Sequence, residues 1–359
     1  MAMRRVGWFL GVACALTIGL GCDETKKEAP KPEPEKTAKA EATVTSAPQT
    51  QETAPSGCKA QGDKPVQLFE LHGDVYGFAG DAAYLYYTTW QLYGSRGDLG
   101  KVRKDGQGAQ PLTSLKLEPR GLVLDDKSVY YTAGIRLFTM PKEGGKEKTI
   151  DEKFSSQSIG ADDQNIYGVP GDYGPYDRLA KIGKQEGKST ELASAKRPAV
   201  KEGVNGYNSI AVDSTGIYVA DSGNNRILKF STTKGAPKPL ATGVKRPFAL
   251  NIDETNVYFT LVGGDLMMVP KAGGKITKLA TGLVENARLA ADAKGVYAPF
   301  AVKDQGPEIN KVDISDTTRK AVASVAESRL VSAMAIDKEC VYWVERVDAG
   351  KSLIFALAR

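Results

Sequence analysis

The chain has 359 residues, 41% apolar and 8% aromatic, enough for one large soluble domain with extensions. Its 48 lysines and arginines against 43 aspartates and glutamates leave a net charge of +5, with no basic cluster on any one element, which excludes nucleic-acid binding. A single histidine, His72, excludes multi-histidine metal sites and a histidine-centred catalytic triad.

Residues 1–22 read as a secretory signal. Arg4 and Arg5 form a basic start, and residues 6–20 are an apolar run too short to span a bilayer comfortably. The run ends Ile18-Gly19-Leu20-Gly21-Cys22, which resembles a bacterial lipobox. Gly21 before Cys22 fits that pattern, while Gly19 and Leu20 depart from its usual order. The resemblance implies cleavage before Cys22 and lipidation of that residue. Asp23, directly after it, resembles the inner-membrane retention signal of some bacteria, which leaves open the membrane that holds the anchor. Residues 23–57 contain five prolines, no aromatic and one β-branched aliphatic, Val44. Such a segment buries too little apolar surface to offset the entropy of ordering. It is expected to be a disordered tether spanning about 30–35 Å as a flexible coil.

The folded domain is expected over residues 58–359. Residues 64–71 (KPVQLFEL) read as a strand with no partner before it. A short pattern then recurs: Asp, three residues, an aliphatic, Tyr. It begins at Asp81, Asp125, Asp162, Asp213, Asp253, Asp292 and Asp337 and ends at Tyr86, Tyr130, Tyr167, Tyr218, Tyr258, Tyr297 and Tyr342. The spacings of 44, 37, 51, 40, 39 and 45 residues match the blade period of a propeller. A Gly- and Lys-bearing hairpin follows in five copies, at Lys104, Lys142, Lys184, Lys234 and Lys271. The most informative copy, residues 209–230 (SIAVDSTGIYVADSGNNRILKF), reads as three strands, 209–213, 216–220 and 226–230, separated by tight turns. The expected fold is all-β: a propeller of seven four-stranded blades. Each repeated Asp is expected to accept backbone N–H groups in a turn, and each Tyr to pack between sheets.

The run Val212-Asp213, Gly216, Tyr218-Val-Ala-Asp221-Ser-Gly-Asn-Asn-Arg226-Ile227 and Phe230 resembles the NHL repeat. The match covers one blade; the other six keep the Asp and Tyr and lose the Asp-Ser-Gly-Asn-Asn-Arg turn. NHL-type propellers include peptide-amidating lyases, protein-binding scaffolds and relatives of calcium-dependent gluconolactonases. The resemblance therefore implies the fold and leaves function open.

The last copy supplies three strands, at 333–336, 341–345 and 352–358, and lacks a fourth. The simplest closure makes residues 66–71 the outer strand of the last blade, so that the ring has no open edge. That strand must run parallel to the blade's second strand, which places Cys58 and Cys340 at the same end of the blade. In an oxidising envelope a disulfide between them is expected, the alternative being two unrelated thiols.

Function is sought where the blades differ. Loops into first strands and loops joining second to third strands gather on one face of a propeller. Residues 88–101 carry Trp90, Tyr93 and Arg96; residues 169–178 carry Tyr173 and Tyr176; residues 300–308 carry Lys303 and Asp304. The loop 194–208 carries Lys196, Arg197, Lys201 and Tyr207. Aromatics with arginine on one face suggest a binding surface. Five residues before each repeated Asp, register places Tyr76, Arg120, Gln157, Asn208, Phe248, Ala287 and Ser332 at the channel mouth, with Arg288 there if the register slips by one. Eight residues after come Thr89, Ala133, Pro170, Asp221, Leu261, Phe300 and Glu345. Asn208, Asp221 and Glu345 are the oxygen ligands that a calcium site at the mouth would use, although Asp221 can instead pair with Arg226.

The expectation is a monomeric cell-envelope lipoprotein, non-enzymatic, held to the membrane by its lipid alone. Its propeller binds a protein or glycan partner through the loop-rich face, by residues drawn from Trp90, Tyr93, Arg96, Arg120, Tyr173, Tyr176, Asn208 and Arg288. The main alternative is a calcium-dependent lactonase- or lyase-like enzyme at the channel mouth; a third is a structural factor in envelope assembly.

Overall fold

The computed structural model describes residues 58–359 except 59, 61, 93, 171–175 and 197–206, with backbone alone at 176, 177, 195 and 196. The segments expected as signal, lipidated Cys22 and tether lie outside the described residues.

The first strand, β1 (Val66–His72), precedes the repeats. Blade 1 is β2 (Asp74–Gly80), β3 (Tyr84–Trp90), β4 (Gly97–Arg103) and β5 (Gln110–Leu115). Blade 2 is β6 (Pro119–Leu124), β7 (Ser128–Ala133), β8 (Arg136–Pro141) and β9 (Lys148–Asp151). Blade 3 is β10 (Ile159–Ala161), β11 (Asn165–Gly168), β12 (Tyr176–Gly183) and β13 (Ser189–Lys196). Blade 4 is β14 (Tyr207–Asp213), β15 (Gly216–Asp221), β16 (Arg226–Phe230) and β17 (Lys238–Thr242). Blade 5 is β18 (Pro247–Ile252), β19 (Asn256–Leu261), β20 (Asp265–Pro270) and β21 (Thr277–Thr281). Blade 6 is β22 (Ala290–Asp292), β23 (Gly295–Phe300), β24 (Glu308–Val312) and β25 (Arg319–Ser324). Blade 7 joins β26 (Leu330–Ile336), β27 (Cys340–Asp348) and β28 (Lys351–Ala358) to β1 as its outer strand. Every pairing is antiparallel, and β1 meets β28 with Leu71 opposite Ser352. The seven blades and the closure by an N-terminal strand are as the repeats predict.

Second strands are buried on both faces because each sheet is stacked between two others. Their sequences are correspondingly near-continuous apolar runs, as in Val257-Tyr258-Phe259 and Val341-Tyr342-Trp343-Val344. The core therefore lies between blades. At the closing junction Leu85, Tyr87 and Val102 of blade 1 pack on Val344, Ile354 and Ala356 of blade 7. Each such side chain contributes about 1.5–3 kcal/mol on burial.

The repeated Asp does three jobs. Its Oδ1 caps the first turn: that of Asp125 accepts from the N–H groups of Lys127 and Ser128. In blades 2, 5 and 7, for example, its Oδ2 accepts from the Tyr five residues on, at 2.8 Å for Tyr130, 2.6 Å for Tyr258 and 3.0 Å for Tyr342, whereas Tyr218 of blade 4 pairs with Thr215. The same carboxylate takes a cation from the following blade. Lys142 reaches Asp81 at 2.9 Å, Lys184 reaches Asp125 at 2.8 Å and Lys104 reaches Asp337 at 2.5 Å. Lys271 pairs with Asp213, and Arg359 meets Asp292 at 2.6 Å. Five junctions among the described residues are clasped in this way. Four of the five cations are lysines of the repeated hairpins.

Cys58 and Cys340 form a disulfide, with Cα atoms 6.0 Å apart, that ties the segment before β1 to the start of β27. It closes a loop of 282 residues, worth at most about 5–6 kcal/mol in the chain-entropy model.

Three loop expectations change. The long loop over residues 88–101 is largely strand: β3 runs to Trp90, β4 starts at Gly97, and a Gln91–Arg96 bridge narrows the hairpin. Likewise β13 extends to Lys196 and β12 begins at Tyr176. Ladder pairing of these residues outweighs their turn-like composition.

Candidate functional site

Inner strands line the axial channel, and a bulge in five of them aims one residue into it. The ladder skips a residue between Val75 and Gly77, and between Tyr207 and Ser209. It skips again between Pro119 and Leu122, Pro247 and Leu250, and Val331 and Ala333. The displaced side chains include Tyr76, Arg120, Asn208, Phe248 and Ser332. A bulge re-aims a side chain in this way because the extra residue leaves the pleat. In blades 1, 2 and 5 the next backbone N–H turns instead to a buried threonine of the second strand. Gly77 donates to Thr88 at 2.9 Å, Gly121 to Thr132 at 2.8 Å and Ala249 to Thr260 at 3.2 Å. These threonines stand seven residues after the repeated Asp, a periodicity present in the sequence.

The bulge residues enclose a cavity of about 430 Å³ at the channel mouth, with Gln157 and Arg288 completing the ring from blades 3 and 6. Six of the seven positions given by register line it. In blade 6 the lining residue is Arg288, one position on from Ala287, which is buried. Arg246, which sequence reasoning missed, lines it too; it lies two residues before the mouth position of blade 5.

The charge of the mouth is positive, with Arg120, Arg246 and Arg288 against Glu285. Arg288 lies over the Phe248 ring at 4.9 Å. It is open to channel water yet ringed by protein, and that desolvation lowers its pKa. A guanidinium nonetheless stays charged in proteins. Arg120 has Nη2 4.0 Å from Glu118 and a buried Nε with no hydrogen-bond partner among the described residues. The Tyr76 hydroxyl is raised above its usual range by burial and by the carboxylates of Glu118 and Asp74. Asn208 donates to Ser222 Oγ at 3.1 Å, and that hydroxyl in turn donates to the Pro247 carbonyl.

The second-strand positions do not reach the mouth. Thr89, Ala133, Asp221, Phe300 and Glu345 are all buried. Asp221 caps the 222–224 turn, accepting from the Asn224 N–H at 3.2 Å, and receives Arg226 Nε at 2.7 Å. Glu345 accepts from Arg329 at 2.8 Å and from Trp343 Nε1 at 2.9 Å. The three oxygen donors considered for calcium are thus not brought together: only Asn208 faces the cavity. No cluster of three or more His, Cys, Asp or Glu side chains suited to a metal exists among the described residues.

Of the loop residues, Arg96 is exposed on the 91–96 hairpin, its Nε donating to Gln91 at 3.1 Å. Trp90 is not offered to solvent. It is buried with Leu99, Leu115, Tyr131 and Phe138 between blades 1 and 2, because the strand continues through it. Tyr207 is buried against Phe230. Tyr93, Tyr173 and the Tyr176 side chain lie outside the described residues, as do the side chains of Lys196, Arg197 and Lys201.

Among the described residues the large apolar side chains that remain exposed, Leu92 (68%), Ile135 (61%), Leu330 (61%), Tyr76 (41%) and Leu117 (37%), share a location. Leu92 and Ile135 lie in second-to-third-strand hairpins. Leu117 leads into blade 2, Leu330 opens β26, and Tyr76 is a bulge residue. All five lie on the mouth face, over the consecutive blades 7, 1 and 2.

The architecture and its axial mouth define a seven-bladed β-propeller. Among solved structures the chain is similar to an oligogalacturonate lyase in complex with manganese. The TM-score is 0.58 and the identity 13%, over 84% of this chain and 98% of that one. It is also similar to the extracellular domain of a proposed one-component system from B. thetaiotaomicron (TM-score 0.57, 15% identity, 81% of this chain and 39% of that one). At these identities the likeness shows the fold alone. No family model and no curated protein matches the chain.

Proposed function

We propose that this chain is a lipoprotein of the bacterial cell envelope, anchored through Cys22 and tethered by residues 23–57. Its NHL-like propeller binds a protein partner on the mouth face without catalysis. The apolar arc over blades 7, 1 and 2 carries the reading, because large exposed aliphatic side chains gathered on one face favour a protein surface over a glycan. The groups facing the adjoining mouth support it. Guanidinium, amide and aromatic side chains recognise, whereas Asp221 and Glu345, the carboxylates considered as metal ligands, are engaged in structural pairs.

The test places a photo-crosslinking amino acid at Leu92 or Ile135, and at Lys127 in a first-to-second-strand turn on the opposite face, in the native host. A discrete protein adduct from the first two sites, absent from the third, is expected. Adducts from all three, or from none, would end the proposal. Cys22→Ala should move the protein out of the membrane fraction; unchanged membrane association would remove the anchor from the reading.

A further inference from the structure

The mouth beside the apolar arc has its own chemistry. Three arginines line it against one carboxylate, Glu285. Arg120 comes from blade 2, Arg246 from blade 5 and Arg288 from blade 6, so the cations stand on different sides of the axis. Arg288 spends one face of its guanidinium on Phe248, and no hydrogen bond or ion pair engages it among the described residues. Its N–H edge is therefore open to the cavity. Arg120 has a buried Nε without a partner and only a 4.0 Å approach to Glu118. A guanidinium presents donors in a fixed fork that matches a carboxylate in two parallel bonds. Elsewhere in this protein buried or half-buried cations are spent on structure: Lys142 on Asp81, Lys184 on Asp125, Arg226 on Asp221, Arg329 on Glu345. Arg288 and Arg120 are not spent in this way among the described residues, and they stand in walls that screen them less than open solvent does.

We propose that the channel mouth is a carboxylate-binding site. Arg288 and Arg120 clamp the carboxylate of an acidic segment or chain terminus of the partner, while Phe248 and Tyr76 pack on its apolar stem. A cavity of about 430 Å³ admits one or two side chains, not a folded domain, so what enters is extended chain. The apolar arc then receives the residues that follow. This rests on the protein-binding reading above and adds the chemistry of the segment that enters.

The test titrates the full-length protein with hexaglutamate, hexaglutamine and free glutarate by calorimetry, comparing wild type with Arg288→Gln and Arg120→Gln. Lys127→Gln, on the opposite face, controls for net charge. Arg288 makes no ion pair among the described residues and only its contact with the Phe248 ring would be lost, so Arg288→Gln should melt within a few degrees of wild type. Hexaglutamate should bind and hexaglutamine should not. Each mouth variant should weaken hexaglutamate about tenfold or more, while Lys127→Gln leaves it unchanged. Raising salt from about 0.05 to about 0.5 M should weaken it further. Equal binding of the two peptides, or equal loss in Lys127→Gln, would overturn the site. Glutarate binding as tightly as hexaglutamate would overturn its assignment to a polypeptide. If Arg288→Gln left photo-crosslinking at Leu92 unchanged, the mouth proposal would fail while the apolar docking face stood. Loss of crosslinks in wild type would instead remove the face.

Discussion

The Lys142 ammonium lies 2.9 Å from the Asp81 carboxylate, although they belong to different blades. The lysine comes from the third-strand hairpin of blade 2 and the aspartate from the first turn of blade 1. Lys184–Asp125, Lys271–Asp213 and Lys104–Asp337 repeat the relationship, so one short sequence motif both shapes a turn and locks its blade to the next.

Lys142→Met should destabilise the ring. It leaves Asp81 half-buried without its cation, although the N–H groups of Ala83 and Tyr84 still hold the carboxylate. Partial exposure of Asp81 keeps the cost to about 1–2 kcal/mol. Asp81→Asn combined with Lys142→Met should cost less than the two single changes added together. Urea unfolding of the three variants measures the coupling; strict additivity would mean that the pair contributes nothing.

Stability should fall on acidification. Burial alone would raise the Asp125 carboxyl, but Lys184, Tyr130 and the N–H groups of Lys127 and Ser128 outweigh it and hold it at about 2. The unfolded value is near 4, so the native state favours the ionised form. Its contribution is complete above about pH 4 and is lost as pH drops towards 2. Asp81, Asp213 and Asp337 are shifted the same way, burial again being outweighed by a lysine and by turn hydrogen bonds. Thermal melts from pH 7 to 2 should show a falling midpoint below pH 4, with a shallower fall in Asp125→Asn. At the alkaline end Tyr130 is pushed up to about 12, chiefly by burial, so its contribution holds to about pH 10 and fades beyond.

Reducing Cys58–Cys340 should loosen β1 first. The bond ties the segment ahead of β1 to β27, and β1 is paired on one edge only. A loss of about 2–5 kcal/mol is expected, within the range for native disulfides. Hydrogen exchange with and without reductant would locate it. Faster exchange in Val66–His72 before any change in blades 3 to 5 is the expected pattern, and uniform acceleration would contradict it.

Tyr76 and Gly77 are sequence neighbours that should respond in opposite ways. Tyr76→Ala removes a side chain that faces the mouth and should leave the melting midpoint within a degree or two. Gly77→Ala adds a methyl group 2.5 Å from Leu122 Cβ and 2.8 Å from Thr88 Oγ1, where blades 1 and 2 converge on the axis. Overpacking there should cost about 1–3 kcal/mol. Denaturant midpoints for the pair test the bulge account directly.

What the sequence by itself determined was local and periodic. The interval from Asp to Tyr specifies a turn and the strand behind it, so seven copies gave blade number, register and the missing fourth strand of the last blade. The same register located six of the seven mouth positions, because the first strand leaves the mouth at a constant distance from its turn, with a bulge there in five blades. Cys58 and Cys340 could be paired because strand order alone placed them at one end of a blade. What only the tertiary structure decided depends on which blade lies beside which, and on how far each side chain stands from the axis. Asp221 and Glu345, like Thr89 and Phe300 at the same register position, lie a layer out from the channel, where they are buried and paired with Arg226 and Arg329. Trp90 reads as a loop residue of the binding face and packs as core because its strand runs on. The partner of Asp81 lies 61 residues away in sequence, a distance no local pattern encodes. The apolar arc is likewise assembled from residues 76 to 330, and closing the ring is what makes blades 7, 1 and 2 neighbours.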